Sequence, residues 1–127
     1  MENSKKVIKN FNIIKEKIEI TAGECGRDSG DIKLIVVTKQ FSSETIKPLL
    51  DNGHLFFGEN RVQEAEEKWP TLLDEYGNVE LHMIGHLQTN KVKSAIKIFN
   101  SIHTIDRVSL VEKILKLNKE ITRMNEF

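Results

Sequence analysis

The sequence predicts an α/β fold of parallel strand–helix units behind one N-terminal helix. Three observations predict it. Short apolar, β-branched or aromatic runs centred near Ile35, Phe56, Met83 and His103 read as strands. Each is followed by a segment whose apolar residues step by three and four, as on a helix with one buried face. The strand centres recur about every twenty to thirty residues, the rhythm of right-handed crossovers in a parallel sheet.

In order, the first helix carries Val7, Phe11, Ile14, Ile18 and Cys25 on one stripe, with Ile8 and Ala22 beside them. Gly23, Gly26 and Gly30, with Asp28, Ser29 and Asp31, mark its exit and a turn. The run Ile32–Thr38 is almost continuously apolar, as in a strand buried on both faces. Ser42 or Ser43 caps a helix that ends near Asn52, with Ile46, Leu49 and Leu50 inward and Pro48 as an internal complication. Gly53 fits the stop, and Leu55–Gly58 is the second strand. Asn60 is placed to cap the next helix, with Gln63 completing a capping box. Val62, Ala65, Trp69 and Leu72 or Leu73 form its apolar stripe. Val79–Gly85 is a third strand, and Asn90 opens a short helix through Val92, Ala95 and Ile96. Ser101–Ile105 is the fourth strand, and Asp106 caps a last helix with Val108, Val111, Ile114, Leu115 and Leu117 inward. The chain reads as one domain, residues 1–127, with no linker or low-complexity segment.

Composition excludes several functions. Lys+Arg and Asp+Glu both count 19, so bulk charge gives no reason to expect nucleic acid as a partner. Local groups such as Lys91, Lys93 and Lys97, or Glu64, Glu66 and Glu67, read as solvated helix faces. A single cysteine, Cys25, allows no internal disulfide. No apolar run approaches the roughly 20 residues that span a bilayer, and the first residues do not form a signal peptide. The expected location is the cytoplasm, without membrane attachment.

An open doubly wound sheet and part of a (β/α)8 barrel share this rhythm. No glycine-rich loop follows the first strand, where Thr38-Lys39-Gln40-Phe41 stands instead, which disfavours a dinucleotide-binding sheet. Both folds place chemistry at the C-terminal strand ends. Those ends are Lys39; Glu59-Asn60-Arg61; His86 to Asn90; and Asp106-Arg107. A lysine closing a dry strand would be partly desolvated, which frees its amine to attack a carbonyl. Spacing alone leaves Lys39 either that nucleophile or a plain strand-ending lysine. Asn60 and Arg61 could meet a ring or an anion, or be a cap and a surface cation. His82 and His86 are four apart, but on strand and loop with no third ligand, so no metal is expected. His103 and Trp69 are expected in the core, and His54 in a turn.

Together these strand ends resemble one family. Leu34–Lys39 resembles its lysine-bearing strand, and Phe57-Gly58-Glu59-Asn60-Arg61-Val62-Gln63-Glu64 its second-strand signature. His82–Lys91 resembles the third motif and Ile102–Asp106 the fourth. The family is the pyridoxal phosphate homeostasis proteins, relatives of the alanine racemase N-terminal barrel. The resemblance implies the N-terminal half of a (β/α)8 barrel, four strands preceded by a helix. It implies pyridoxal 5′-phosphate held as a Schiff base on Lys39, with Asn60 beside the cofactor and His82 and Met83 on a strand lining the same pocket. It implies a cofactor carrier or regulator, not a catalyst. A racemase-type enzyme would need a second acid–base residue opposite the lysine, and none can be named.

Members of that family are longer. Strands five to eight, and the loops after strands seven and eight where barrels usually hold phosphate, have no counterpart here. The expectation is a truncated chain that keeps the covalent hook and binds the cofactor weakly. Its alternative is a remnant or interaction module that binds none. Open strand edges and bare apolar surface predict self-association, or pairing with a separately encoded C-terminal half.

Overall fold

A computed structural model describes residues 2–125, with side-chain environments from 3 to 120. Five helices alternate with four strands: α1 (Glu2–Glu24), β1 (Val36–Val37), α2 (Ser43–Asp51), β2 (Phe56–Glu59), α3 (Val62–Glu75), β3 (Glu80–Met83), α4 (Val92–Ile98), β4 (Ser101–Ile102) and α5 (Val108–Asn125). All strand pairs are parallel and the order in the sheet is β1-β2-β3-β4. Each strand thus lies beside its predecessor, with no reversal of order. That is a sector of a barrel and not a doubly wound sheet, whose order reverses at a switch point.

Register assigns the faces. Val36, Phe57, Leu81 and Glu59 pair along with Met83 and Ile102 on one side; Val37, Gly58, His82 and Ser101 align on the other. The first side meets the helices. Phe57, Leu81 and Met83 are buried there with Trp69 and Leu72 of α3, Ala95 of α4 and Leu110 of α5. Trp69 packs against Phe57 with the rings tilted by 49° and centroids 5.1 Å apart, so its expected place in the core is realised. The second side is the one a closed barrel would turn inward, and Val37 is 42% exposed on it. Gly58 sits on this side because a Cβ would stand 3.0 Å from Ile35 and 3.3 Å from Ile84.

Several local expectations change. Strand one shrinks to Val36–Val37. Asn60 does not cap α3: the cap position falls to Arg61, which makes no side-chain capping bond. Asn90 lies in a 3-10 turn before α4. Pro48 and Pro70 sit inside α2 and α3 without ending them. Among the described residues of α1, Phe11 and Ala22 are buried, while Ile14 is 49% exposed and Cys25, just past the helix, is exposed. On α5 the buried residues include Leu110, whereas Val108 is 74% exposed. His54 is no plain turn residue: its ring packs edge-on against Phe11, Phe56 and Phe57. Burial pushes its pKa below 6.5, reinforced by the charge of Lys15 and only partly opposed by hydrogen bonds to the Phe56 and Leu34 backbone. Among the described residues no helix is long and apolar enough to cross a membrane.

Candidate functional site

β1 ends in a four-residue turn. The Phe41 N–H donates to the Thr38 carbonyl at 3.1 Å, which puts Lys39 and Gln40 at the two central positions. Gln40 takes φ +66°, the left-handed region a turn usually gives to glycine or asparagine. A side chain held there costs about 1–3 kcal/mol, so the surroundings must over-determine it. Lys39 is exposed, not desolvated as the sequence suggested. Among the described residues no carboxylate lies within ion-pairing distance of its amine.

Beneath the turn lies a buried polar network. Alternation turns Thr38 toward the helices, where its hydroxyl donates to Glu59 Oε2. The same oxygen accepts from Trp69 Nε1 at 2.9 Å and from Lys68 Nζ at 2.8 Å. Glu59 is fully buried and the Lys68 side chain 7% exposed. Lys68 Nζ also donates to the carbonyls of Thr38 (2.7 Å) and Phe41 (2.9 Å), and to Glu64 Oε2 (2.9 Å). Glu64 Oε2 accepts the Gln40 N–H at 2.5 Å. Partial burial pushes the Glu64 carboxyl up, but the Lys68 and Gln40 hydrogen bonds and the charges of Lys68 and Arg61 outweigh it and hold its pKa below 4.5. Glu64 is therefore not the solvated residue its neighbours suggested. The signal that could have found this network is Lys68 itself. With Ala65, Trp69 and Leu72 it sits on the apolar stripe of α3, where a charge must have a partner.

The next strand ends form a separate cleft of about 390 Å³, lined by Asn60, Arg61, Met83, His86 and Lys91 among others. Gly85 shapes it: an added Cβ would lie 2.4 Å from the Asn60 carbonyl oxygen, so only glycine lets the β2–α3 loop rest on the end of β3. Asn60 and Met83 thus line one cleft. Met83 and His82 do not share a pocket, because neighbouring residues of a strand point to opposite faces. Lys39 does not line this cleft either.

His82 lies on the open face. Its Nδ1 is 2.9 Å from Nε2 of His103, and its Nε2 is 3.5 Å from Glu80. His103, expected in the core, is exposed and finds this polar partner instead. Asp106 pairs with Arg107 at 2.7 Å and lies 3.9 Å from His86. Among the described residues no group of three potential ligands could hold a metal ion.

What the first strand end offers is a primary amine, open to solvent, on a turn fixed from below. It can act as a nucleophile toward an aldehyde once deprotonated. An aldehyde-bearing cofactor fits this donor.

No family model matches the chain. Curated proteins do. It is 34% identical over 105 residues to the pyridoxal phosphate homeostasis protein of Haemophilus influenzae, covering 83% of this chain and 44% of that protein. The Escherichia coli K12 protein of the same name is 36% identical over 107 residues, 83% of this chain and 45% of that one. The Aquifex aeolicus protein is 37% identical over 103 residues, 81% and 44%. Among solved structures, PipY of Synechococcus elongatus with pyridoxal phosphate bound superposes with a TM-score of 0.70 at 31% identity, over 83% of this chain and 49% of PipY. A crystal structure of an unknown protein from Bifidobacterium adolescentis shares the fold, with a TM-score of 0.85 at 24% identity, over 96% of this chain and 52% of that one. The chain spans a little under half the length of the curated relatives it matches. It belongs, as a partial member of about 45% of the relatives' length, to the pyridoxal phosphate homeostasis protein family.

Proposed function

We propose that this chain is a cytoplasmic carrier of pyridoxal 5′-phosphate in intracellular cofactor homeostasis, with Lys39 as the covalent attachment point and no turnover required. The observation that carries the reading is Lys39 itself. It is the exposed tip of a turn at the C-terminal end of a parallel strand, fastened from below by Thr38, Gln40 and Phe41. Family membership, and the bound cofactor of PipY, support it. The cofactor supplies an aldehyde that condenses with a primary amine. Lys39 supplies that amine. Asn60, at the end of the adjacent strand, and His82, on the open face, are the proposed neighbours; Met83 stays beneath the cleft it lines with Asn60. The domain assignment, a barrel-type cofactor domain across residues 1–127, is part of the same proposal.

Borohydride trapping tests it. The protein is mixed with substoichiometric pyridoxal phosphate, reduced and digested, and the modified lysine is found by mass spectrometry. Label concentrated on Lys39 is the expected result. Label scattered over surface lysines, or none, would leave the chain an interaction module without this cofactor. Activity on amino acids that needs the cofactor and is lost in Lys39→Ala would point to an enzyme instead.

One observation favours association beside this function. The open face carries Val37, which is exposed, next to half-buried Ile35 and Ile84. A second copy, or a chain equivalent to the rest of the relatives' length, would cover it. Light scattering on the 127-residue chain that gives a clean monomer in dilute solution counts against a second copy.

A further inference from the structure

The network under Lys39 poses a physical question. A buried ion pair adds little stability compared with apolar residues of the same volume, because desolvating both charges costs about what their attraction returns. Lys68 and Glu59 nevertheless lie at the heart of a densely hydrogen-bonded buried cluster, and its bonds converge on one exposed turn. The Thr38 hydroxyl donates to Glu59. The Thr38 and Phe41 carbonyls accept from Lys68 at 2.7 and 2.9 Å. The Gln40 N–H donates to Glu64 at 2.5 Å, and Glu64 is in turn 2.9 Å from Lys68. Every residue of the turn except Lys39 is thereby tied down from β2 or α3. Gln40 is held at φ +66°, a conformation a free glutamine would leave. Pinning three residues of a turn and leaving the fourth side chain loose fixes where that side chain begins, and therefore which directions it can reach.

We propose that Glu59, Lys68 and Glu64 are positioning residues for Lys39: they hold the Thr38–Phe41 turn so that the Lys39 amine is presented in one orientation to an aldehyde. The proposal rests on the reading of Lys39 as the attachment point. Neither Glu59 nor Lys68 touches the reacting amine; they act through the backbone of the turn.

The test compares the full wild-type chain with a double variant, Glu59→Met with Lys68→Met. Replacing both charges with flexible apolar side chains keeps the site filled, and such swaps leave folded proteins intact. The single variant Glu64→Gln serves as a milder companion. Two measurements are made on each. One is the share of reduced pyridoxal phosphate label found on Lys39. The other is hydrogen exchange at the Gln40 and Phe41 amides against the Leu81 amide of β3, without any cofactor.

The expected result is a double variant with unchanged far-UV circular dichroism and unchanged Leu81 protection. Its Gln40 and Phe41 amides exchange about tenfold faster or more, the effect of losing charge-assisted hydrogen bonds. Its label spreads from Lys39 to surface lysines. In Glu64→Gln the Gln40 amide alone speeds up. A merely structural role for the ion pair would instead lower protection at Leu81 together with the turn. That outcome, or a double variant that labels Lys39 as selectively as wild type, overturns the proposal. If the wild type itself does not label Lys39, the cofactor reading falls and its presentation to an aldehyde falls with it; the exchange data then decide only whether Glu59, Lys68 and Glu64 hold the turn. Equal turn protection in both proteins overturns the proposal whatever the labelling.

Discussion

The two faces of the sheet treat their polar groups in opposite ways. On the helix side Glu59 and Lys68 are buried, and each makes several short hydrogen bonds to a fixed set of partners. On the open side Glu80, His82 and His103 form a looser group, with one ring–ring contact at 2.9 Å and a carboxylate 3.5 Å away. Solvent accounts for the difference at Glu80 and His103, whose side chains water reaches, whereas the His82 ring is only 12% exposed and its Nε2 is buried without a hydrogen-bond partner among the described residues. Where water is excluded, an unpaired charge is so costly that geometry is over-determined; where water reaches, several arrangements cost about the same. The helix side therefore fixes the conformation of the first strand end, and the open side remains a surface that can accept a ligand or a cover.

Breaking one partner on the helix side should have the largest effect. Lys68→Met leaves the Glu59 carboxylate buried without its cation, and is expected to lower stability by about 3–5 kcal/mol in urea unfolding. The paired change Glu59→Met with Lys68→Met should cost far less. A double variant as unstable as the single one would show that the individual hydrogen bonds, and not charge compensation, matter most.

Gly85→Ala comes next. The added methyl would stand 2.4 Å from the Asn60 carbonyl oxygen and 2.6 Å from its Cβ. The loop must move, at a cost of about 1–3 kcal/mol. Its backbone resonances at Asn60 and Arg61 should shift, while those of Thr38–Phe41 should not. Shifts at both sites would mean that the two strand ends behave as one unit.

A pH effect of smaller size is expected from His54. Its folded-state pKa lies below 6.5, chiefly because burial disfavours the charged ring. The neutral ring is the form that packs. Its contribution is complete above 6.5 and is lost as pH falls from there through the folded value, because the unfolded chain binds the proton first. His54→Phe should flatten thermal stability across that window. An unchanged slope would assign the pH dependence to other groups.

The smallest stability effect belongs to the open face. Val37→Lys, at a position already 42% exposed, should change unfolding free energy by no more than about 0.5 kcal/mol. It should nevertheless reduce any association read by light scattering. If the particle size is the same with and without the added charge, this face is not the contact.

The strand–helix order was legible because period-two and near-3.6 patterns survive in short segments such as Phe56–Gly58 and Val62–Leu72. The strand ends were legible for the same reason, and Lys39 and Asn60 stand where the pattern put them. The buried network was not, although Lys68 on an apolar stripe hinted at it. Its partner Glu59 lies on another element, and nothing local distinguishes it from a solvated strand-end acid. The cap at Asn60 failed because that residue is drawn into packing against Gly85. The amphipathic stripes of α1 and α5 overstated burial, since the pattern marks a face without saying whether anything lies against it.

The sequence by itself determined the parallel βα rhythm, the positions of the strand ends and the identity of the amine at the first of them. These follow from the alternation of side chains and from turn chemistry, which act over a few residues. Only the tertiary structure decided that Met83 faces the helices and His82 the open side, that His103 meets His82, and that Lys68 reaches past its own helix to fasten the turn beneath Lys39. Register between strands and the packing of a helix on them set those contacts. Both depend on groups distant in the chain, and around Glu59 and Lys68 burial then makes the pairing obligatory by removing water as an alternative partner.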